Sequence, residues 1–123
     1  MKKLTISMDF DGCLSELPMQ NLAKSLIEAN IEVFVTTSRS NETEGLKLYH
    51  NDLFAVTDSL GIKRENITFT NYNKKYSYVK DFTAHFDDDS SEISLINDYP
   101  IGRCLGFLYE PNLSRENNQK TKF

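Results

Sequence analysis

The feature that most constrains this chain is an alternation of short apolar runs with helical patterns, joined by very short links. Residues 4–8 set Leu4, Ile6 and Met8 between Thr5 and Ser7, the period of a strand. Residues 17–29 place Leu22, Ala23, Leu26 and Ile27 on one helical face, with Pro18 suited to the first turn and Asn30 to the stop. Residues 31–36 (I-E-V-F-V-T) are strand-like again. Such a strand, helix and strand form a βαβ unit, which makes the strands parallel and the crossover right-handed.

The alternation continues to residue 109. A polar loop, T-S-R-S-N-E-T-E, leads into a second helical region over 42–60, which Asn51-Asp52 could interrupt and Gly61 could cap. Strands are predicted over 67–70 and 83–86, with a helix over 75–82 between them. A short helix capped by Ser90 or Ser91 follows, then a fifth strand over 104–109 that Pro111 ends. The order β-α-β-α-β-α-β-α-β predicts an α/β fold: a three-layer α/β/α sandwich with a mostly parallel, five-stranded, Rossmann-like sheet. A chain of 123 residues has room for one such domain, taken as 1–112, with 113–123 as a polar and mobile tail.

Composition narrows the function classes. A net charge of −4 gives no general electrostatic grip on nucleic acid, although a local basic patch remains open. No segment approaches the length of a membrane span, so no membrane partner is expected. The first apolar run breaks at Asp9, too early for a signal peptide. Cys13 and Cys104 make neither a disulfide framework nor a zinc pattern, and a reduced, cytoplasmic protein is the default expectation.

Chemistry concentrates at the strand ends. The first run stops in Asp9-Phe10-Asp11-Gly12. Two neighbouring carboxylates raise each other's pKa, and a divalent cation is the usual remedy. Asp-Gly is equally ordinary turn chemistry, so this stretch alone leaves an acidic turn and a cation site open. The second strand ends in Thr36, Thr37 and Ser38, followed by Arg39; Lys74 and Lys75 lie beyond the third; Asp87, Asp88 and Asp89 end the fourth. A parallel sheet brings these ends to one edge. Carboxylates from two strands suit Mg²⁺, and hydroxyl and ammonium groups suit phosphoryl oxygens.

This order of motifs resembles the haloacid dehalogenase-like (HAD) superfamily of phosphohydrolases, over roughly residues 4–109. D-F-D-G-C matches its first motif, Thr37-Ser38-Arg39 its second, a lysine ahead of a helix its third, and the acids after the fourth strand its last. The resemblance implies Asp9 as nucleophile and Mg²⁺ ligand, and Asp11 as general acid and base, with its backbone carbonyl on the metal. It also implies Thr37 on a phosphoryl oxygen, Lys75 as the neutralising cation and Asp88 as the remaining metal ligand. Asp87, Asp89 and Glu92 would stand behind the metal, and Gly12, Ser38 and Arg39 would help bind substrate. Lys75 is preferred to Lys74 because Tyr76 and Val79 then start the helix in phase; Lys80 lies too close to the fourth strand.

Departures from the pattern carry information. Cys13 stands where Thr or Val is usual and reads as a small buried residue. Residues 12–18 are short for the usual flap, and neither insertion point has room for a cap domain. An open site suits a large substrate, or a cover supplied by a second copy of the chain. The expected substrate is a nucleotide, a phosphorylated nucleic-acid end or another phosphate ester, with Tyr72, Tyr76 and Tyr78 available for stacking or simply half-buried in a helix. His85 is expected to pack against neighbours, and His50 to lie at the surface. One alternative is a metal- or phosphate-binding module without catalysis, which the presence of Asp11 disfavours. Another is a receiver-like phospho-acceptor domain, which would need its acceptor aspartate after the third strand, where Thr70-Asn71 stands.

Overall fold

The computed structural model describes residues 3–41, 50–99 and 101–110. Five strands, β1 (Thr5–Met8), β2 (Glu32–Thr37), β3 (Ile67–Phe69), β4 (Ala84–Asp87) and β5 (Leu105–Leu108), form one sheet in the order β3-β2-β1-β4-β5. Every pairing is parallel, with Ile6 opposite both Val33 and Ala84. The helices α1 (Leu17–Glu28), α2 (Asn51–Leu60), α3 (Tyr76–Val79) and α4 (Ser90–Asp98) alternate with the strands. This is the expected α/β architecture, and the sheet is wholly parallel.

Side-chain alternation divides the interior. Met8, Val33, Val35 and Ile67 turn to the side where Ala23 and Met19 of α1 and Leu53 of α2 pack. Val79 of α3, Ile93 and Ile96 of α4 and Cys104 make a second, separate cluster. Parallel strands are covered on both faces because their crossovers lay helices there. The second face is less apolar: Ser7, Thr36 and His85 are all buried and point away from the first cluster. No helix among the described residues is long and apolar enough to cross a membrane.

Boundaries differ from the sequence reading where tertiary bonds intervene. The third helix, expected over 75–82, is a single turn. The Lys80 carbonyl accepts from Arg103 N–H at 2.9 Å, and Thr83 N–H is drawn to the Thr5 carbonyl, so the chain leaves the helix for the sheet. Asp89, rather than Ser90 or Ser91, caps α4: its Oδ1 accepts from the Ser91 backbone N–H at 2.9 Å. His50 is buried, correcting its expected surface position. Its Nε2 lies 3.0 Å from the Ser40 carbonyl oxygen and its ring 4.6 Å from that of Phe69, so Nε2 and the ring face both find partners in the interior. The helix expected over 42–60 is described from Asn51, where the sequence suggested a break. Its earlier part, the stop at Pro111 and the tail 113–123 lie outside the described residues.

Candidate active site

The turn after β1 sets the site. Asp9 remains extended, and its N–H donates to the Phe86 carbonyl of β4 at 2.9 Å, which fixes where its side chain starts. The chain then closes on itself, with Leu14 N–H on the Asp9 carbonyl and Ser15 N–H on that of Phe10, and enters α1 two residues later. Gly12 makes this turn possible in two ways. Its φ is +75°, and a side chain there would collide with the Asp88 carboxylate.

Three strand ends meet in a buried charge cluster. Lys75 is 3 % exposed, and its Nζ donates to Asp9 Oδ1 at 2.8 Å and to Asp87 Oδ2 at 2.7 Å. Its backbone N–H donates to Glu92 Oε2 at 2.9 Å, so α4 holds the lysine in place. Lys74 is largely exposed and lies 3.9 Å from Glu92 Oε1. The ammonium in the cluster is therefore that of Lys75. Asp9 and Asp87 are buried and Asp88 is exposed, and one carboxylate oxygen from each lies within 4.8 Å of the others.

The two buried acids are differently satisfied. Asp87 Oδ2 takes both Lys75 and His85, and its Oδ1 accepts from Asp89 N–H at 3.0 Å. Burial works against its charge, but His85 and Lys75 outweigh it and hold its pKa at about 2. Asp9 is pushed up to about 8, first by burial and then by the Asp87 charge, which Lys75 only partly offsets. Burial alone would lower the Lys75 pKa, yet Asp9 and Asp87 raise it. Burial also raises Asp88. The cluster thus has more carboxylate than its own cation neutralises. That donor set could hold a hard, oxygen-seeking divalent ion, which Asp9 and Asp88 would ligate, with Asp87, already taken by three donors, behind them.

This gives a pH signature. Between pH 3.8 and about 8 folded Asp9 keeps a proton that the unfolded chain has lost, so its contribution to stability falls as pH rises. Buried His85 has a lowered pKa and acts oppositely, but only below about 6.5, where the unfolded imidazole is charged. Above that pH Asp9 dominates. Metal-free protein should lose roughly 1–2 kcal/mol between about pH 6.5 and 8. Mg²⁺ should restore more stability at the higher pH. Thermal melts in chelator and in Mg²⁺ across this interval measure both, and a flat chelator profile would contradict the assignment.

The remaining expected residues are placed as follows. Thr37 is fully buried, its Oγ1 accepting from Arg39 N–H at 3.3 Å, while Ser38 is exposed beside it. Asp11 stands apart from the carboxylate cluster. Arg39 Nε and Nη2 donate to its two oxygens at 2.9 and 2.7 Å, and Nη1 and Nη2 donate to those of Asp52 at 2.9 and 2.8 Å. The guanidinium sits 5.1 Å from the Phe10 ring centroid. Arg39 thus ties the turn after β1 to the start of α2, and its hydrogen bonds hold the Asp52 pKa at about 2. Asp89 caps its helix with both Ser91 groups, and Cys13 is fully buried with its thiol pKa pushed up by burial.

Asp52 and Ser7 escaped the sequence reading as contributors, and Thr36, read only as a strand-end hydroxyl, and His85, read only as a packing residue, are bonded into the site's support. His85 does pack, as expected, but through hydrogen bonds: its Nδ1 lies 2.9 Å from Ser7 Oγ and its Nε2 2.9 Å from Asp87 Oδ2. Ser7 Oγ lies 2.8 Å from Thr36 Oγ1. The available signal was a polar residue at an inward position of three apolar strands. Comparison with known proteins gives no match, whether to protein-family models, to curated proteins or to solved structures.

Proposed function

We propose that the protein is a Mg²⁺-dependent phosphomonoester hydrolase of the haloacid dehalogenase-like type, without a cap. The observation that carries this reading is the Lys75 ammonium on Oδ1 of a buried strand-end aspartate, Asp9, with Asp88 alongside. A buried carboxylate with a high proton affinity, beside a fixed cation, is a nucleophile prepared for an anionic electrophile. Mg²⁺ held by Asp9 and Asp88 would neutralise charge on Asp9 and the phosphoryl oxygens.

The chain's own groups divide the work. Asp9 attacks phosphorus, the ester P–O bond breaks, and Asp11 gives its proton to the departing oxygen. Water then attacks the aspartyl-phosphate, passing a proton back to Asp11, and inorganic phosphate leaves with Asp9 restored. Lys75 stabilises the charge on Asp9 and the transferring group, and Thr37 and Ser38 offer hydroxyls to phosphoryl oxygens. Both oxygens of Asp11 are held by Arg39, so the carboxylate has to turn from the guanidinium before it faces a leaving group. That hold also favours a second reading, a phosphate-binding module in which Asp11 never turns.

Tyr72 points to the leaving group. It is 71 % exposed, has φ +67°, and is anchored by its N–H to the Ser38 carbonyl at 2.7 Å. It borders a small open cavity with Ser38, Lys75 and Glu92. Tyr76 instead packs against the second core cluster. An aromatic platform beside the phosphoryl site favours a planar leaving group, as in a nucleotide or nucleic-acid end. The test is phosphate release from nucleotides, end-phosphorylated oligonucleotides, sugar phosphates and phosphopeptides. Mg²⁺-dependent turnover that chelator abolishes is expected, with the nucleotide-type esters preferred. Binding of phosphate without turnover of any ester would favour the module.

A further inference from the structure

The α3/α4 side of the three central strands carries an unbroken polar line where apolar packing is the rule. Thr36 on β2, Ser7 on β1 and His85 on β4 are 1 %, 0 % and 0 % exposed, and Ser7 and His85 are direct neighbours in the strand register. The line ends on Asp87, which shares Lys75 with Asp9. Burying these groups is costly unless each bond is made, and all the contacts along the line lie between 2.7 and 2.9 Å.

The direction of each bond follows from what its ends can do. The Asp87 carboxylate only accepts, so His85 Nε2 carries the proton between them. In the neutral ring Nδ1 then accepts, which makes Ser7 Oγ its donor. Having given its only proton, Ser7 accepts from Thr36 Oγ1. Burial lowers the His85 pKa and supports the neutral ring.

We propose that His85 is a positioning residue for the hydrolysis: its Nε2–H, oriented through Ser7, fixes the Asp87 oxygen that delivers the Lys75 ammonium to Asp9. This rests on the hydrolase reading above. Asp89 N–H holds one oxygen of the Asp87 carboxylate, Oδ1, and His85 holds the other, Oδ2, which is the one that meets the lysine. Without His85 that oxygen is free to shift and draw the ammonium off the nucleophile, and substrate never meets the imidazole.

Steady-state kinetics on the preferred ester, with ¹⁵N NMR of the ring, test this. His85→Phe, which removes both ring bonds, is expected to lower kcat by about 10–100-fold with KM changed less than about twofold. His85→Gln can return a donor to Asp87 and should recover most of kcat. Ser7→Ala, the variant least disturbing to folding, should lower kcat by roughly three- to tenfold. The wild-type ring should show protonated Nε2 and bare Nδ1 without substrate. A folded His85→Phe protein with wild-type kcat, a loss confined to KM, or a Gln variant no better than Phe overturns the positioning role. A ring protonated on Nδ1 overturns it too, whatever the enzyme does. A wild-type protein inert towards every ester overturns the hydrolase reading and the catalytic role together, and the tautomer then decides the hydrogen-bond line alone.

Discussion

Replacing Asp9 with Asn is expected to lower phosphate-ester turnover by at least about a thousandfold while leaving the protein as stable as the wild type, or more so. The amide keeps the shape of the carboxylate but cannot attack phosphorus. Its effect on the fold has the opposite sign. Asp9 is buried beside Asp87, and the two compete for one ammonium, so its charge opposes folding near neutral pH. The neutral amide relieves that repulsion, and Lys75 keeps Asp87 as a partner. Enzymes commonly hold their reacting groups in such unfavourable settings, and neutralising them trades activity for stability. The gain should be larger at pH 8 than at pH 6, because the wild-type carboxyl is increasingly ionised there. Steady-state kinetics and urea unfolding of the same preparation read both effects. Turnover surviving in Asp9→Asn would refute the nucleophile assignment.

Lys75→Met should have the largest effect on stability, a loss of about 3–5 kcal/mol in metal-free protein. The methionine nearly preserves volume, so packing changes little. What changes is that Asp9 and Asp87 remain buried, 4 % and 0 % exposed, with no ammonium between them. Removing one partner of a buried charge group costs far more than the intact group contributes, because the remaining charge must be neutralised or exposed. Adding Asp9→Asn to Lys75→Met should therefore recover part of the loss, a coupling that a double-mutant cycle measures. Equal unfolding midpoints for Lys75→Met and wild type would mean that the cluster is hydrated and the lysine dispensable.

Much of this fold was legible because β-strand and helix periods change sharply along the chain, and parallel topology then dictates a shared edge for the strand ends. The choice of Lys75 over Lys74 rested on helix phase alone, yet the phase identified the lysine that is buried. The three consecutive acids were harder, since composition cannot tell them apart. Their division follows from geometry: Asp87 still belongs to β4 and points with His85, Asp88 follows the strand and faces Gly12, and Asp89 turns back to cap α4. The Arg39–Asp52 pair was not legible, because it depends on where α2 begins in space. Nor was the Thr36–Ser7–His85 line, since its members lie 29 and 78 positions from one another across strands. Each looks innocuous on its own strand.

Strand order also sets an order of assembly. β1 lies at the centre of the sheet, pairing with β2 after a single crossover and with β4 only across most of the described chain. The closure of such long loops is slow relative to local pairing. The unit from β1 through α1 to β2 can therefore form while Asp9 is still hydrated, and its carboxyl enters the interior only when Lys75 and β4 dock. Docking of β4 is thus expected to be a slow step of folding, and it is the step that assembles the Asp9–Lys75–Asp87 cluster. On the hydrolase reading, recovery of activity during refolding should then coincide with the phase in which β4 docks.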